Sequence, residues 1–404
     1  MLTLTEHGRS ESVRLSLSQQ GKLRDLFRAT IEPAADGLVT VTPGSRVGAA
    51  VVDGEHVVVA PKVPLARIVH MLSVASDPVR WAGDTAEGLR ASSLEDAVAV
   101  MLARACMTAF SAGVYRSYRT ERQQLAYVRG RIRVAEYLRD PRPLPVPVTA
   151  TVHDEDVPEN QVLAAAVKHL RQVQGLSATA QRELSRVWQV VGETTPLSVR
   201  TALELGQRIQ WSRHNLHYQA AIRFAVLVLE GQSLEVTEGR VRVPGFVLDM
   251  PRIVEQYVRV LLRRELGATD VEMPDAWNHR VWLDEGRHVQ LIPDLAMHRD
   301  GRWHFVGDVK YKVNALASGD DEEAGWGRRE DLYQLLAYVT ETGLDEGTLI
   351  YAGDRTGESV HMVRGTGARL RVVSVDLGAV DCDEQVRRVA GAVSRSIAPA
   401  TVNS

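Results

Sequence analysis

The stretch that decides the reading of this chain runs from Arg287 to Val313. It reads Arg-His-Val-Gln-Leu-Ile-Pro-Asp-Leu-Ala-Met-His up to His298, then Arg299-Asp300-Gly301, then Arg-Trp-His-Phe-Val-Gly-Asp-Val-Lys-Tyr-Lys-Val. Asp-Gly between two strand-like runs predicts a β-hairpin, because glycine accepts the positive φ that the turn demands. Side chains alternate along a strand with period two. Ile292, Asp294, Ala296 and His298 therefore share one face of the first run, and Val306, Asp308, Lys310 and Lys312 one face of the second. A three-residue turn at Arg299–Gly301 sets Asp294 opposite Val306 and makes Asp308 its diagonal neighbour, about 7–8 Å away. A two-residue turn slips the register and parts the carboxylates, unless a bulge compensates.

Two converging carboxylates suit a hard, oxygen-seeking cation such as Mg²⁺, which polarises a phosphoryl oxygen and activates water. A lysine two residues beyond the second aspartate can steady the charge that develops. An isolated Asp-x-Lys is also explained by surface aspartates and lysines that blunt an edge strand. Here it comes with Pro293-Asp294, a hairpin and a downstream helix, Asp331 to Tyr338, whose Gln334 and Tyr338 share one face. An ordinary amphipathic helix with an exposed Gln and a half-buried Tyr is the plain alternative for that last pair. Together, Pro293-Asp294, Asp308-Val309-Lys310 and the Gln-x-x-x-Tyr element resemble the PD-(D/E)xK nuclease superfamily. That resemblance implies Asp294, Asp308 and Lys310 as catalytic residues, with Asp294 and Asp308 holding Mg²⁺ or Mn²⁺. It implies support from Gln334 and Tyr338. Superfamily members often carry a further acidic ligand on the first helix of the domain. Glu255 stands there, the polar interruption of an apolar helix from Asp249 to Leu266; a solvated glutamate is its plain alternative.

The whole chain sets bounds. Its 404 residues predict two or three domains, and 45% hydrophobic with 25% charged residues fits a soluble globular protein. A net charge of −3 carries no global basic signature, so nucleic-acid contact must come from local patches. The two cysteines give neither a disulfide framework nor a zinc site, and no run is long and apolar enough for a membrane span. The N-terminus lacks signal-peptide character, so a cytoplasmic protein is expected.

The expected fold class is α+β and multidomain. Residues 1–90 read as a small β-rich N-terminal domain that docks a partner, residues 91–235 as a helical middle domain, residues 236–380 as a C-terminal α/β domain of the restriction-endonuclease-like PD-(D/E)xK type, and 381–404 as a tail. Ser12–Leu17 reads as a strand. Within the middle domain, Arg116, Arg119, Arg122, Arg129, Arg131 and Arg133 surround Tyr115, Tyr118 and Tyr127. These arginines suit phosphates or a partner's carboxylates, or form a solvated face. His214 and His217 lack a nearby third ligand and read as part of a packed helix. The acidic run Asp320–Glu323 reads as a solvated loop.

Three further stretches keep a recognisable order ahead of the hairpin: Tyr127-Val128-Arg129-Gly130-Arg131-Ile132-Arg133, Pro158-Glu159-Asn160-Gln161-Val162-Leu163 and Arg213-His214-Asn215-Leu216-His217-Tyr218. With the nuclease motif they resemble the McrC family, the endonuclease subunit of McrBC modification-dependent restriction systems, from about Leu38 to Leu377. The chain has no G-x-x-x-x-G-K-[ST] element of its own. The resemblance accordingly implies a separate McrB-like AAA+ GTPase hexamer as partner, modified DNA as substrate, and a chain that stimulates GTP hydrolysis and cuts DNA. The alternatives are a stand-alone nuclease of DNA repair or recombination, and a non-catalytic assembly factor with a degenerate motif.

Overall fold

A computed structural model describes residues 1–76, 93–231, 245–275, 281–312 and 328–397. The first segment holds β1 (Leu2–Thr5), α1 (Leu17–Phe27), β2 (Thr30–Pro33), β3 (Val39–Thr42), β4 (Arg46–Val52), β5 (Glu55–Ala60) and α2 (Leu65–Ser76). Ser12–Leu17, expected as a strand, makes only the Val13–Val39 bridge. Ser16 instead caps α1. Its hydroxyl accepts from the Gln19 amide, while the Gln19 side chain accepts from the Ser16 amide at 2.8 Å. This reciprocal capping box outweighs the apparent alternation.

The middle segment, expected as a helical domain, holds a sheet beside its helices. It has α3 (Leu94–Phe110), β6 (Ser117–Leu125), β7 (Arg131–Ile132), α4 (Val134–Tyr137), β8 (Val146–Asp154), α5 (Pro158–Leu170), α6 (Ala178–Val191), α7 (Val199–Arg208) and α8 (Gln219–Glu230). β6, β8 and β7 form an antiparallel sheet in that order. The arginine-rich stretch is therefore largely strand. Arg116 pairs with Glu155, and Arg119 with Glu121, Asp154 and Asp156. Tyr218, from the Arg213–Tyr218 stretch, is fully buried and accepts a hydrogen bond from the Tyr115 amide at 2.9 Å, but His214 lies exposed in a turn ahead of the short helix Leu216–Tyr218 rather than in a packed helix.

The last segment contributes β9 (Gly245–Asp249), α9 (Met250–Glu265), β10 (Val281–Trp282), β11 (Gln290–Leu291), β12 (Leu295–Arg299), β13 (Arg302–Tyr311), α10 (Arg329–Thr342), β14 (Glu346–Gly353), β15 (Gly357–Met362), β16 (Arg369–Asp376) and α11 (Cys382–Ile397). The expected tail from 381 is thus largely the helix α11, which packs on α9 and β16 through buried Val386, Val389, Ala390 and Val393. The acidic run at 320–323 lies outside the described residues.

Two compact units result: residues 98–233, and residues 1–97 together with 234–404. The first and third segments, separate domains in the sequence reading, share a sheet of order β1-β5-β4-β9. Arg46, buried on β4, donates to Asp249 at the end of β9 and to the Asp25 and Leu26 carbonyls. Asp249 sits at the N-cap position of α9 but makes no capping bond; its carboxylate faces Arg46 and Arg28 instead.

The second sheet of this unit has the order β12-β13-β14-β16-β15, with β13, β14 and β16 parallel and both outer strands antiparallel. Parallel pairing of β13 with β14 needs a crossover, and α10 lies in that connection. Leu335, Tyr338 and Val339 of α10 pack on Val306, Leu349, Tyr351, Leu370 and Val372 of the sheet. No described helix is long and apolar enough to cross a membrane.

Candidate active site

Asp300 and Gly301 both adopt positive φ, 50° and 77°, and Arg299 pairs with Arg302. The hairpin thus has a two-residue turn in place of the expected three. Taken alone, that turn would part the carboxylates. The register shifts between Met297, which pairs with Phe305, and His298, which pairs with Trp303, leaving His304 as the extra residue of a bulge. Beyond the bulge Ala296 pairs with Val306 and Leu295 with Gly307. Continuing this register brings Asp294 opposite Asp308, two residues from the predicted Val306. The carboxylates share a face through the compensating bulge.

Asp294 Oδ2 accepts the Val309 amide at 3.0 Å. Asp308 is buried, with 2% of its side chain exposed, and Lys310 Nζ lies 2.7 Å from its Oδ2. That contact lacks hydrogen-bond geometry and leaves the oxygen without a hydrogen bond. Burial, then the neighbouring Asp294 charge, pushes the Asp308 carboxyl up to about 7, against the pull of Lys310. Glu255 on α9 is likewise pushed up to about 7, by burial and then by Asp294, despite its ion pair with Arg252 at 3.0 Å. Burial works against the Lys310 ammonium, but Asp308, Asp294 and Asp331 outweigh it and hold its pKa above the ordinary lysine value.

The helix after the hairpin reaches the same place. Lys310 Nζ donates to Gln334 Oε1 at 3.0 Å, Gln334 Nε2 donates to the Tyr338 hydroxyl at 2.6 Å, and that hydroxyl donates to the Ile292 carbonyl at 3.2 Å. This chain joins the lysine to the turn bearing Asp294. Burial, then the Asp308 charge, raises the Tyr338 pKa and keeps it a neutral donor. Lys312 belongs elsewhere: it pairs with Asp331 at 2.5 Å and lies over the Tyr351 ring, whose hydroxyl also donates to Asp331. It anchors the start of α10.

Sequence reasoning missed Arg259. Buried on α9 one turn beyond Glu255, it donates to the Asp294 main-chain carbonyl from Nε at 3.1 Å and from Nη2 at 2.9 Å. An arginine inside an amphipathic helix reads as a solvated charge, so only the fold reveals it.

Among the described residues no three His, Cys, Asp or Glu side chains form a metal-binding group. The donor set is a close aspartate pair, with Glu255 near enough to feel the Asp294 charge. Two features suit a divalent cation: mutually repelling carboxyls, and a buried Asp308 oxygen lacking a hydrogen bond.

The class so defined is a multidomain α+β protein with a carboxylate pair and a lysine gathered on a bulged hairpin. The chain belongs to the family of McrBC 5-methylcytosine restriction system components, whose model matches residues 41–352. Among solved structures it is similar to a chain of the refined half-complex from the tetradecameric assembly of Thermococcus gammatolerans McrB AAA+ hexamers with bound McrC. That match has 16% identity and a TM-score of 0.48, covering 97% of this chain and 99% of that one. It is also similar to a chain of the Thermococcus gammatolerans McrBC complex, at 18% identity and a TM-score of 0.39, covering 66% of this chain and 88% of that one. No curated protein matches.

Proposed function

We propose that this chain is the Mg²⁺-dependent DNA endonuclease subunit of a GTP-driven, modification-dependent McrBC-like restriction complex, with a nuclease domain of the PD-(D/E)xK type. The observation that carries the reading is the convergence of Asp294, Asp308 and Lys310 on one face of the hairpin, tied by Gln334 and Tyr338 to the Asp294 turn. Asp294 and Asp308 would hold the cation, with Glu255 alongside; Mn²⁺ would fit the same oxygen donors. When bound, the cation supplies Lewis-acid polarisation of the phosphoryl oxygen and lowers the pKa of water. Lys310, charged and held by Gln334, orients the attacking water or steadies the charge that gathers on the phosphoryl oxygens. Tyr338 and Gln334 fix the lysine and the Asp294 turn relative to each other.

The partner in this reading is a McrB-like AAA+ GTPase hexamer, which the chain docks on and stimulates. Family membership supports it. So does the middle unit, where Tyr118, Tyr127, Val128, Val134, Leu138 and Leu144 are all more than half exposed beside exposed Arg122, Arg129 and Arg131. Apolar side chains exposed together with arginines are the composition of a protein-binding surface.

The test is cleavage of methylated DNA by the purified chain, with and without a McrB-like GTPase, GTP and Mg²⁺. Cutting that needs all of them is expected, and substituting Asp308→Ala or Lys310→Ala should abolish it. Cleavage that survives both substitutions would refute the site. Mg²⁺-dependent cutting by the chain alone would favour a stand-alone repair or recombination nuclease.

A further inference from the structure

The Ile292–Asp294 turn joins β11 to β12 and carries the first carboxylate of the site. Pro293 has no N–H to donate, so this turn is held largely through its carbonyls. Tyr338 takes the Ile292 carbonyl from α10, and Arg259 takes the Asp294 carbonyl from α9 with two donors. The remaining nitrogen of the guanidinium, Nη1, donates to Gln256 Oε1 at 2.5 Å and to Asp275 Oδ1 at 3.4 Å. Every nitrogen of the fork is thereby engaged, and the side chain is buried.

We propose that Arg259 is a positioning residue of this site: by gripping the Asp294 carbonyl through Nε and Nη2 it fixes the backbone of Asp294, so that the carboxylate stays on the Val309 amide beside Asp308. The role rests on the reading of the site as metal-dependent. It requires arginine specifically. The planar fork presents two donors in fixed geometry, whereas a lysine presents a single point charge on a flexible stem and leaves the turn free to pivot. Loss of a group that orients a metal-binding side chain typically weakens metal binding by about 10–100-fold.

The experiment compares the full-length chain with Arg259→Lys, Asp275→Asn and Asp308→Ala. Mn²⁺ binding is followed by electron paramagnetic resonance, and backbone amide exchange by NMR without metal. The wild type should bind Mn²⁺ and Asp308→Ala should not. Arg259→Lys should bind about 10–100-fold more weakly. It should also speed exchange of the Val309 amide while amides of β14 and β16 stay protected. Asp275→Asn, which loosens the guanidinium without removing it, should shift both readouts the same way by less, and it carries the test if Arg259→Lys fails to fold. Unchanged Val309 protection and unchanged Mn²⁺ affinity in Arg259→Lys would overturn the positioning role, because lysine would then have replaced a mere buried charge. Absence of Mn²⁺ binding by the wild type, with Val309 still freed by Arg259→Lys, would instead refute the metal reading and leave the positioning intact.

Discussion

With Asp294 beside it and almost no exposed surface, Asp308 keeps its proton up to about pH 7 when no cation neutralises the pair. Unfolded aspartates titrate near pH 4, so between about pH 4 and 7 the native chain holds the extra proton. Stability without metal should therefore fall as pH rises through that window. Asp308→Asn removes this charge. In urea denaturation at pH 8 without metal it should be more stable than the wild type by on the order of 1–3 kcal/mol, with the gap closing toward pH 4. Added Mg²⁺ should stabilise the wild type alone. Equal stabilities at pH 8 would mean that the Asp308 charge is not strained. Gly307, next in the strand, tolerates no side chain: a Cβ there would lie 2.6 Å from the Thr348 carbonyl oxygen. Gly307→Ala should cost about 1–3 kcal/mol by forcing β13 away from β14. An unshifted urea midpoint would count against that close pairing.

The bulge at His304 is the element on which the site depends. Removing His304 would leave the Asp300-Gly301 turn intact and slip every residue beyond it by one, turning Asp308 to the opposite face. The deletion should retain β-sheet circular dichroism yet lose Mn²⁺ binding; retention of that binding would show that the two carboxylates need not face each other. The Asp-Gly turn was legible because its φ demands are local. The bulge was not, since nothing in Trp303-His304-Phe305 distinguishes an unpaired residue from a paired one. β6 was hidden for a related reason. Its half-buried positions, among them Ser117, Arg119, Glu121 and Gln123, are polar, so the strand shows no apolar alternation and reads as a run of charge. Gln334 and Tyr338 were legible from helical spacing, and Arg259 was not, because its partner is a main-chain carbonyl thirty-five residues away.

At the scale of the molecule, the seam between β4 and β9 joins the two ends of the sequence into one unit, and Arg46 is its buried anchor. Asp249→Ala leaves that guanidinium with two carbonyls and no carboxylate, a loss of about 3–5 kcal/mol for a buried pair. Thermal denaturation should show β4 and the hairpin sheet destabilised together; a hairpin sheet of unchanged stability would refute their union in one unit. Sequence periodicity finds strands but not partners so distant, which is why the first and last segments read as separate domains.

That seam also bears on the timing of synthesis. β4 leaves the ribosome roughly 190 residues before β9, a wait of about 10–40 s at ordinary elongation rates. Asp294 and Asp308 are translated later still. A nascent or prematurely terminated chain that lacks Asp308 has no carboxylate pair, so in the reading proposed above a truncated product cannot cut DNA.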